Sequence, residues 1–519
     1  MTQTSAIARA TVTVGQQPLD PAEVVAVARH GAHVVVAADA LERVAASRAH
    51  IEALAATGEP VYGVSTGFGA LATRHIAPDL RAPLQRSLVR SHAAGSGPEV
   101  EREVVRAMML LRLQTLATGR TGVRAVIVDG YVAMLNAGIT PVVREFGSLG
   151  CSGDLAPLAH CALALMGEGE VRDAAGVLMP AADALRAAGI EPVVLGAKEG
   201  LALINGTDGM LGMLVLACAD LSALAKNADI AAAMSVEAIL GTDAVFAADL
   251  QALRPHPGQA ASAANLRAML AGSPIVESHR VDCVLVQDAY SLRCAPQVAG
   301  AFRDTIAHAL TVAGRELSSA IDNPVVLPDG RVESNGNFHG APLGYVLDFL
   351  AIAAADLASM SERRTDRLLD VARSHGLPAF LANDPGVDSG HMIAQYTQAA
   401  IVSELKRLAA PASVDSIPSS AMQEDHVSMG WSAGRKLLKS VDGLTRVLAI
   451  EILTAARALD LRAPLLPAPA SAAVVRALRT RVSGPDVDRW LSPEIEAAVE
   501  MTFSGAFVDA AETVVGTLA

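Results

Sequence analysis

Residues 208–239 read DGMLGMLVLACADLSALAKNADIAAAMSVEAI, a run with few breakers whose apolar residues recur at three- and four-residue spacing. That period marks one face of an α-helix. The span exceeds the roughly 8–20 residues of an ordinary globular helix. The same pattern returns at 298–320, 341–374, 399–410 and 433–459. Helices this long predict an extended bundle, and bundles this apolar commonly bury their faces in contacts between subunits. Residues 1–205 read differently: apolar segments such as Ala32–Val36 and Glu59–Val64 are broken by Gly, Pro and Asn, which predicts helices mixed with short strands and loops. The expected fold is mainly α. A smaller N-terminal head over 1–205 joins a long-helix bundle over 206–519, in one continuous unit without internal repeats or low-complexity linkers.

Composition agrees. Of 519 residues, 51% are hydrophobic and 18% charged, which excludes a disordered chain. Aromatics are only 3%, so the core is carried by Ala, Leu and Val, which suits helices packed closely together. A net charge of −13 with no basic stripe argues against a nucleic-acid partner. The most charged stretch, Ser361–Arg367, mixes both signs and reads as a solvated helix face. The most apolar runs, Gly209–Ala219 and Phe349–Ala355, are bounded by Asp208, Asp220, Asp348 and Asp356. They fall short of the roughly 18 apolar residues of a membrane span, so none is expected. The N-terminus shows no signal-peptide pattern. Five cysteines (151, 161, 218, 283 and 294) are odd in number and lack metal-type spacing; neither a disulfide framework nor a metal site is expected, and a reducing cytoplasm fits.

Five polar segments interrupt the helical pattern. Tyr62–Gly69 is a Gly-punctuated loop carrying a phenol, and Ser91-His92-Ala93-Ala94-Gly95 sets an imidazole beside small residues. Gly147–Asp154 packs small residues around Ser152, Gln287–Arg293 combines an amide, a phenol and a guanidinium, and Gln423–His426 is a polar run between apolar neighbours. Taken singly, each has an ordinary reading as a turn, a structural histidine or a helix cap. Asp154, for example, could cap a helix beginning at Leu155, with Pro157 in its first turn.

The serine segment is the most informative chemically. It fails the G-x-S-x-G pattern of a nucleophile elbow, because Asp154 stands where the second glycine belongs, and no alternating strand precedes it. Small residues suit a different chemistry. In a tight bend the Gly153 nitrogen can attack the Cys151 carbonyl carbon, which a bulkier residue at 153 would hinder. Loss of water from the ring and from the Ser152 side chain leaves an imidazolone with an exocyclic methylidene, a strong electrophile made without an external cofactor.

Gly147–His160 resembles the signature of the histidine and aromatic amino acid ammonia-lyase family, whose Ala-Ser-Gly triad forms the methylidene-imidazolone group, MIO. Tyr62–Gly69, Leu203-Ile204-Asn205-Gly206-Thr207, Gln287–Arg293, Gly336-Asn337-Phe338-His339 and Gln423–Met429 resemble further family motifs in the expected order. The resemblance implies a fumarase/aspartase-like helical architecture and a homotetramer with active sites shared between subunits. Ser91-His92 and Glu424 are similar to the members that act on histidine. The physics agrees, since the two ring nitrogens of an imidazole want partners that a phenyl ring would leave unpaired. Two positions depart from the usual pattern: Cys151 replaces Ala, and Met422 stands where bacterial relatives often carry Asn.

The same resemblance implies a mechanism. MIO, formed from Cys151-Ser152-Gly153, would serve as electron sink, and Tyr62 would abstract the β-proton. Arg293 would clamp the substrate carboxylate through its bidentate fork. Asn205, Gln287, Tyr290 and Phe338 would surround the group and the substrate, with Tyr290 assisting proton movement at nitrogen and Asn205 stabilising charge on the imidazolone oxygen. His92 and Glu424 would hold an imidazole, so the expected products are trans-urocanate and ammonia. The alternatives are a phenylalanine or tyrosine lyase or a 2,3-aminomutase of the same family, a cofactor-free helical lyase of the fumarase type, and a non-enzymatic helical scaffold.

Overall fold

Asp20 opens the helix Pro21–His30 with a capping box: its side chain accepts the Ala22 amide while Glu23 reaches back to the Asp20 amide. Pro21 occupies the first turn, and Gly31 closes the helix at φ 67°. Each is what a short helix needs at its unsatisfied ends. The structure, a computed structural model, describes residues 11–56, 63, 66–67, 74–281, 283 and 286–519. Helices dominate it, and the strands are short. Two units divide the chain, one formed by 1–216, 310–348 and 411–435, the other by 217–309, 349–410 and 436–519.

In the first unit, the helix Arg102–Ala117 is buried at every position from Val104 onward, including Arg106 and Arg112. Arg106 stays inside because it donates to Val27 O and Leu135 O, carbonyls in the last turns of Pro21–His30 and Ala125–Asn136. A cation there satisfies orphan acceptors at the negative end of each helix dipole. Small sheets frame this core. Thr11–Val14 runs parallel to His33–Val36, and Ser96–Glu99 pairs with Arg144–Phe146. Thr140–Pro141, Glu170–Arg172 and Leu178–Pro180 form a three-stranded antiparallel sheet.

The second unit is held by an alanine-rich core in which Ala231–Ala233 lie with Ala449, Ala455, Ala456, Leu453 and Phe507. Small side chains let helices approach closely, which is why so few aromatics suffice. This unit corrects the reading of Ser361–Arg367 as a solvated face. Ser361, Glu362, Arg364 and Thr365 are all buried. Arg364 forms a two-pronged ion pair with Glu451 (2.5 and 2.8 Å), and Ser235 Oγ donates to the same carboxylate at 2.7 Å. Charge is tolerated inside when paired and hydrogen-bonded, and a linear sequence does not reveal the partner.

The long helices appear as Asp208–Ala238, Ala295–Leu317, Ala341–Leu369, Met392–Leu408 and Gly430–Asp460. Two differ from expectation by several residues. The third stops at Leu369 because the Asp370 carboxylate accepts from Ala372 N and Arg373 Nε, forming a local turn that competes with helix. The fourth starts seven residues before 399. Its early turns carry Gln395 and Gln398, polar residues that mask the apolar period, although Gln398 is buried and donates to Val447 O at 2.8 Å. By length and composition alone, Asp208–Ala238 and Ala341–Leu369 are apolar enough to span a membrane, although the shorter runs Gly209–Ala219 and Phe349–Ala355 within them are not. Their most apolar windows are 78% and 61% buried within the protein, which is the environment of core helices.

Candidate active site

The loop ending at Asp154 is tied down on both sides by the first unit. Ser428 Oγ donates to Gly150 O at 2.8 Å, Met429 N donates to Leu149 O at 2.9 Å, and Gly340 N reaches Gly150 O at 3.3 Å. Across from it, Asp154 N donates to Gly206 O at 2.7 Å, and Gly153 and Gly206 form a parallel bridge. Gly153 sits at φ 78°, and a Cβ there would collide with the Gly206 backbone. Only glycine fits.

Asp154 does not cap the helix Leu155–Leu165, as the sequence suggested; its side chain makes no bond to that helix. The carboxylate turns inward instead, accepting Ser148 Oγ and the Met210 amide, both at 2.9 Å. It thereby caps the N-terminus of Asp208–Ala238, whose orphan amides are the stronger demand. Complete burial raises its pKa to about 7, opposed by these hydrogen bonds.

Glu424 approaches the same loop. Its Oε1 accepts from Ser152 Oγ and its Oε2 from Cys151 Sγ, each at 3.2 Å. Burial, reinforced by the neighbouring carboxylate, pushes the Cys151 thiol up to about 12, so it remains a protonated donor. Glu424 is delivered by a strained turn. Ser420, Ala421 and Met422 all adopt positive φ (51–69°), and Ser419 and Glu424 pair across them. Consecutive non-glycine residues in this region cost about 1–2 kcal/mol each, a cost often found where a side chain must be aimed. Met422 itself is exposed.

His92 ends the helix Arg81–His92. Its Nδ1 lies 2.9 Å from Leu88 O, an atom that only accepts, so Nδ1 carries the proton and Nε2 presents a lone pair. Burial lowers its pKa, and the charge of Glu424 opposes that shift. Asn205 is buried, and its Oδ1 has no partner among the described residues. Phe338 is half-buried on the turn that leads to Gly340.

The first unit therefore brings together Cys151, Ser152, Gly153, Asn205 (through Gly206) and Glu424, with His92 in electrostatic reach of Glu424. Gln287, Tyr290 and Arg293 belong to the second unit. There Tyr290 and Arg293 share the one-turn helix Tyr290–Arg293, with the guanidinium 4.6 Å from the phenol ring centroid. Tyr290 is 69% exposed, and Arg293 Nε has no partner among the described residues. Tyr62 lies outside the described residues.

Three residues with structural parts in this site were not singled out in sequence. Ser419 Oγ donates to Glu424 Oε2 at 2.9 Å, Ser428 holds Gly150, and Arg112 donates to Asn205 O at 2.7 Å and Ile321 O at 2.8 Å. Arg112 alone left a signal, as a charge inside an otherwise buried helix. Ser428 acts on a residue 278 positions away, and Ser419, though five positions from Glu424, looks like any loop serine; neither leaves one.

The residues fit the group their spacing suggested. The bend at 151–153 excludes a side chain at Gly153, the Ser152 hydroxyl is held by a carboxylate, and a buried Asn205 amide oxygen is unsatisfied beside the loop. Residues 19–480 match the aromatic amino acid lyase family, and the chain belongs to it. A histidine ammonia-lyase of Streptomyces avermitilis is 66% identical over 98% of this chain and 100% of its own. One of Sorangium cellulosum is 52% identical over 97% and 99%. Among solved structures, the tyrosine aminomutase of Streptomyces globisporus matches at TM-score 0.94 and 38% identity, covering 98% of this chain and 100% of that one. The histidine ammonia-lyase of Trypanosoma cruzi matches at 0.89 and 38%, covering 97% and 96%.

Proposed function

We propose that this chain eliminates ammonia from L-histidine to give trans-urocanate, with MIO formed from its own Cys151-Ser152-Gly153. The observation that carries the reading is the Glu424 carboxylate, aimed at the triad and in reach of a neutral His92. Once the Ser152 hydroxyl is gone, Glu424 Oε1 is open to accept a ring N–H, and His92 Nε2 would accept the second N–H of a protonated imidazole. A phenyl ring would leave them unpaired, and such sites reject the deficient analogue by roughly 10⁴–10⁵. The family resemblance and the 66% identity to a histidine ammonia-lyase support the same substrate.

The prosthetic group would supply an electrophilic carbon as electron sink. Around it, Asn205 would stabilise charge at the imidazolone oxygen. Tyr62 would take the β-proton, Arg293 would clamp the carboxylate with its fork, and Gln287, Tyr290 and Phe338 would line the substrate, with Tyr290 moving a proton at nitrogen. Phe349, Ile352, Ile393 and Tyr396 are large, apolar or aromatic and exposed in the second unit, which favours burial in a homotetramer with shared sites. Light scattering at four times the chain mass would agree, and a monomeric mass would not. Five cysteines, odd in number and without metal-type spacing, suit a cytoplasmic setting.

Ultraviolet monitoring with L-histidine, L-phenylalanine and L-tyrosine tests the reaction. Urocanate from histidine alone supports the reading, whereas cinnamate or coumarate overturns the pocket assignment. A β-amino acid product would favour the aminomutase reading that the Streptomyces globisporus structure suggests. Ser152→Ala should fold yet lose roughly a thousandfold or more of the activity. Its peptide spanning position 152 should lack the two-water mass loss expected of the parent.

A further inference from the structure

Glu424 is held unequally at its two oxygens. Among the described residues, Oε1 accepts only from Ser152 Oγ, while Oε2 accepts from Cys151 Sγ and Ser419 Oγ. The Ser152 Oγ is one of the two oxygens lost when the triad dehydrates, the other leaving from the Cys151 carbonyl. Oε1 is then opened, and Oε2 keeps both donors. A carboxylate held at one oxygen from two directions cannot swing about its terminal torsion without breaking a bond, and that torsion is otherwise soft. The triad's cyclisation uses only backbone atoms of residue 151, so its side chain is free for another task.

We propose that Cys151 is a positioning residue for substrate recognition: its thiol, with Ser419, fixes the plane of the Glu424 carboxylate so that Oε1 faces a ring N–H of an imidazole substrate. With alanine at 151, Ser419 would hold Oε2 alone. The thiol is a weak donor, so the effect is modest. The inference rests on the reading of Glu424 as the partner of the substrate ring.

The test uses the full-length Ser152→Ala protein, in which Oε1 is already released, and calorimetry with 3-(imidazol-4-yl)propanoate and 3-phenylpropanoate. Adding Cys151→Ala should weaken the imidazole ligand about threefold to tenfold and leave the phenyl ligand unchanged, and Cys151→Ser should restore the difference. Equal weakening of both ligands would reveal mere packing and overturn the proposal. Unchanged imidazole binding, in a protein where Glu424→Gln weakens it, would overturn the role of Cys151 alone. Unchanged binding in Glu424→Gln would remove the Glu424 reading and the proposal with it. Competitive inhibition of the mature enzyme by the same two compounds reads the same ratio without the Ser152→Ala background: a fall in selectivity in Cys151→Ala supports the proposal, and constant selectivity overturns it.

Discussion

Gly153 and Gly206 lie backbone to backbone, joined by a parallel bridge, with the Gly206 carbonyl filling the space a side chain on Gly153 would need. The bend that the proposed cyclisation requires is therefore imposed by a second strand of chain. It is not a preference of the triad itself.

Gly153→Ala should block maturation. The variant would carry both a steric collision and a φ that L-residues resist. Mass spectrometry of the Ser152 peptide should show no two-water loss. A matured Gly153→Ala protein would mean that the Gly206 contact yields.

Glu424→Gln keeps an acceptor but loses its charge. Hydrogen bonds to charged groups contribute about 1.5–3 kcal/mol, so kcat/KM for L-histidine should fall roughly tenfold to a hundredfold. Steady-state kinetics with L-phenylalanine as comparison should show a narrower preference. An equal fall for both substrates would point to a role other than ring recognition.

Asp154 makes stability depend on pH. Its folded pKa of about 7 lies above the unfolded value of about 3.9. The group's contribution is complete below about pH 4 and is lost as pH rises to about 7. Relative to the parent, Asp154→Asn should therefore become more stable across that window, by on the order of a few kcal/mol. Urea unfolding at pH 4, 5.5 and 7 measures the difference, and a flat series would show that Asp154 titrates normally.

Arg112→Met would leave the buried Asp208 without the guanidinium 3.5 Å away and strip donors from the Asn205 and Ile321 carbonyls. Removing one partner of a buried pair costs about 3–5 kcal/mol. The urea midpoint should drop accordingly, with Arg112→Lys intermediate. A parent-like midpoint would show that the 205–208 segment is held by other contacts.

Much of this was legible in the chain. The apolar period predicted each long helix, since a helix reports its buried face locally, and departures came where polar side chains were satisfied inside, as at Gln398, or where Asp370 offered the backbone a turn. The small residues of 147–154 and the ordered motifs pointed to the proposed cyclising triad and to the family.

The amino-acid sequence alone determined a mainly helical lyase-family protein and the atoms of its triad, because backbone chemistry and helical periodicity are properties of neighbouring residues. Tertiary structure alone decided that Asp154 turns away from its own helix, that Arg364 is buried against Glu451, and that Glu424 reaches Cys151 and Ser152 across more than 270 positions. Hydrogen bonds and ion pairs depend on distance in space, and only the folded chain sets those distances.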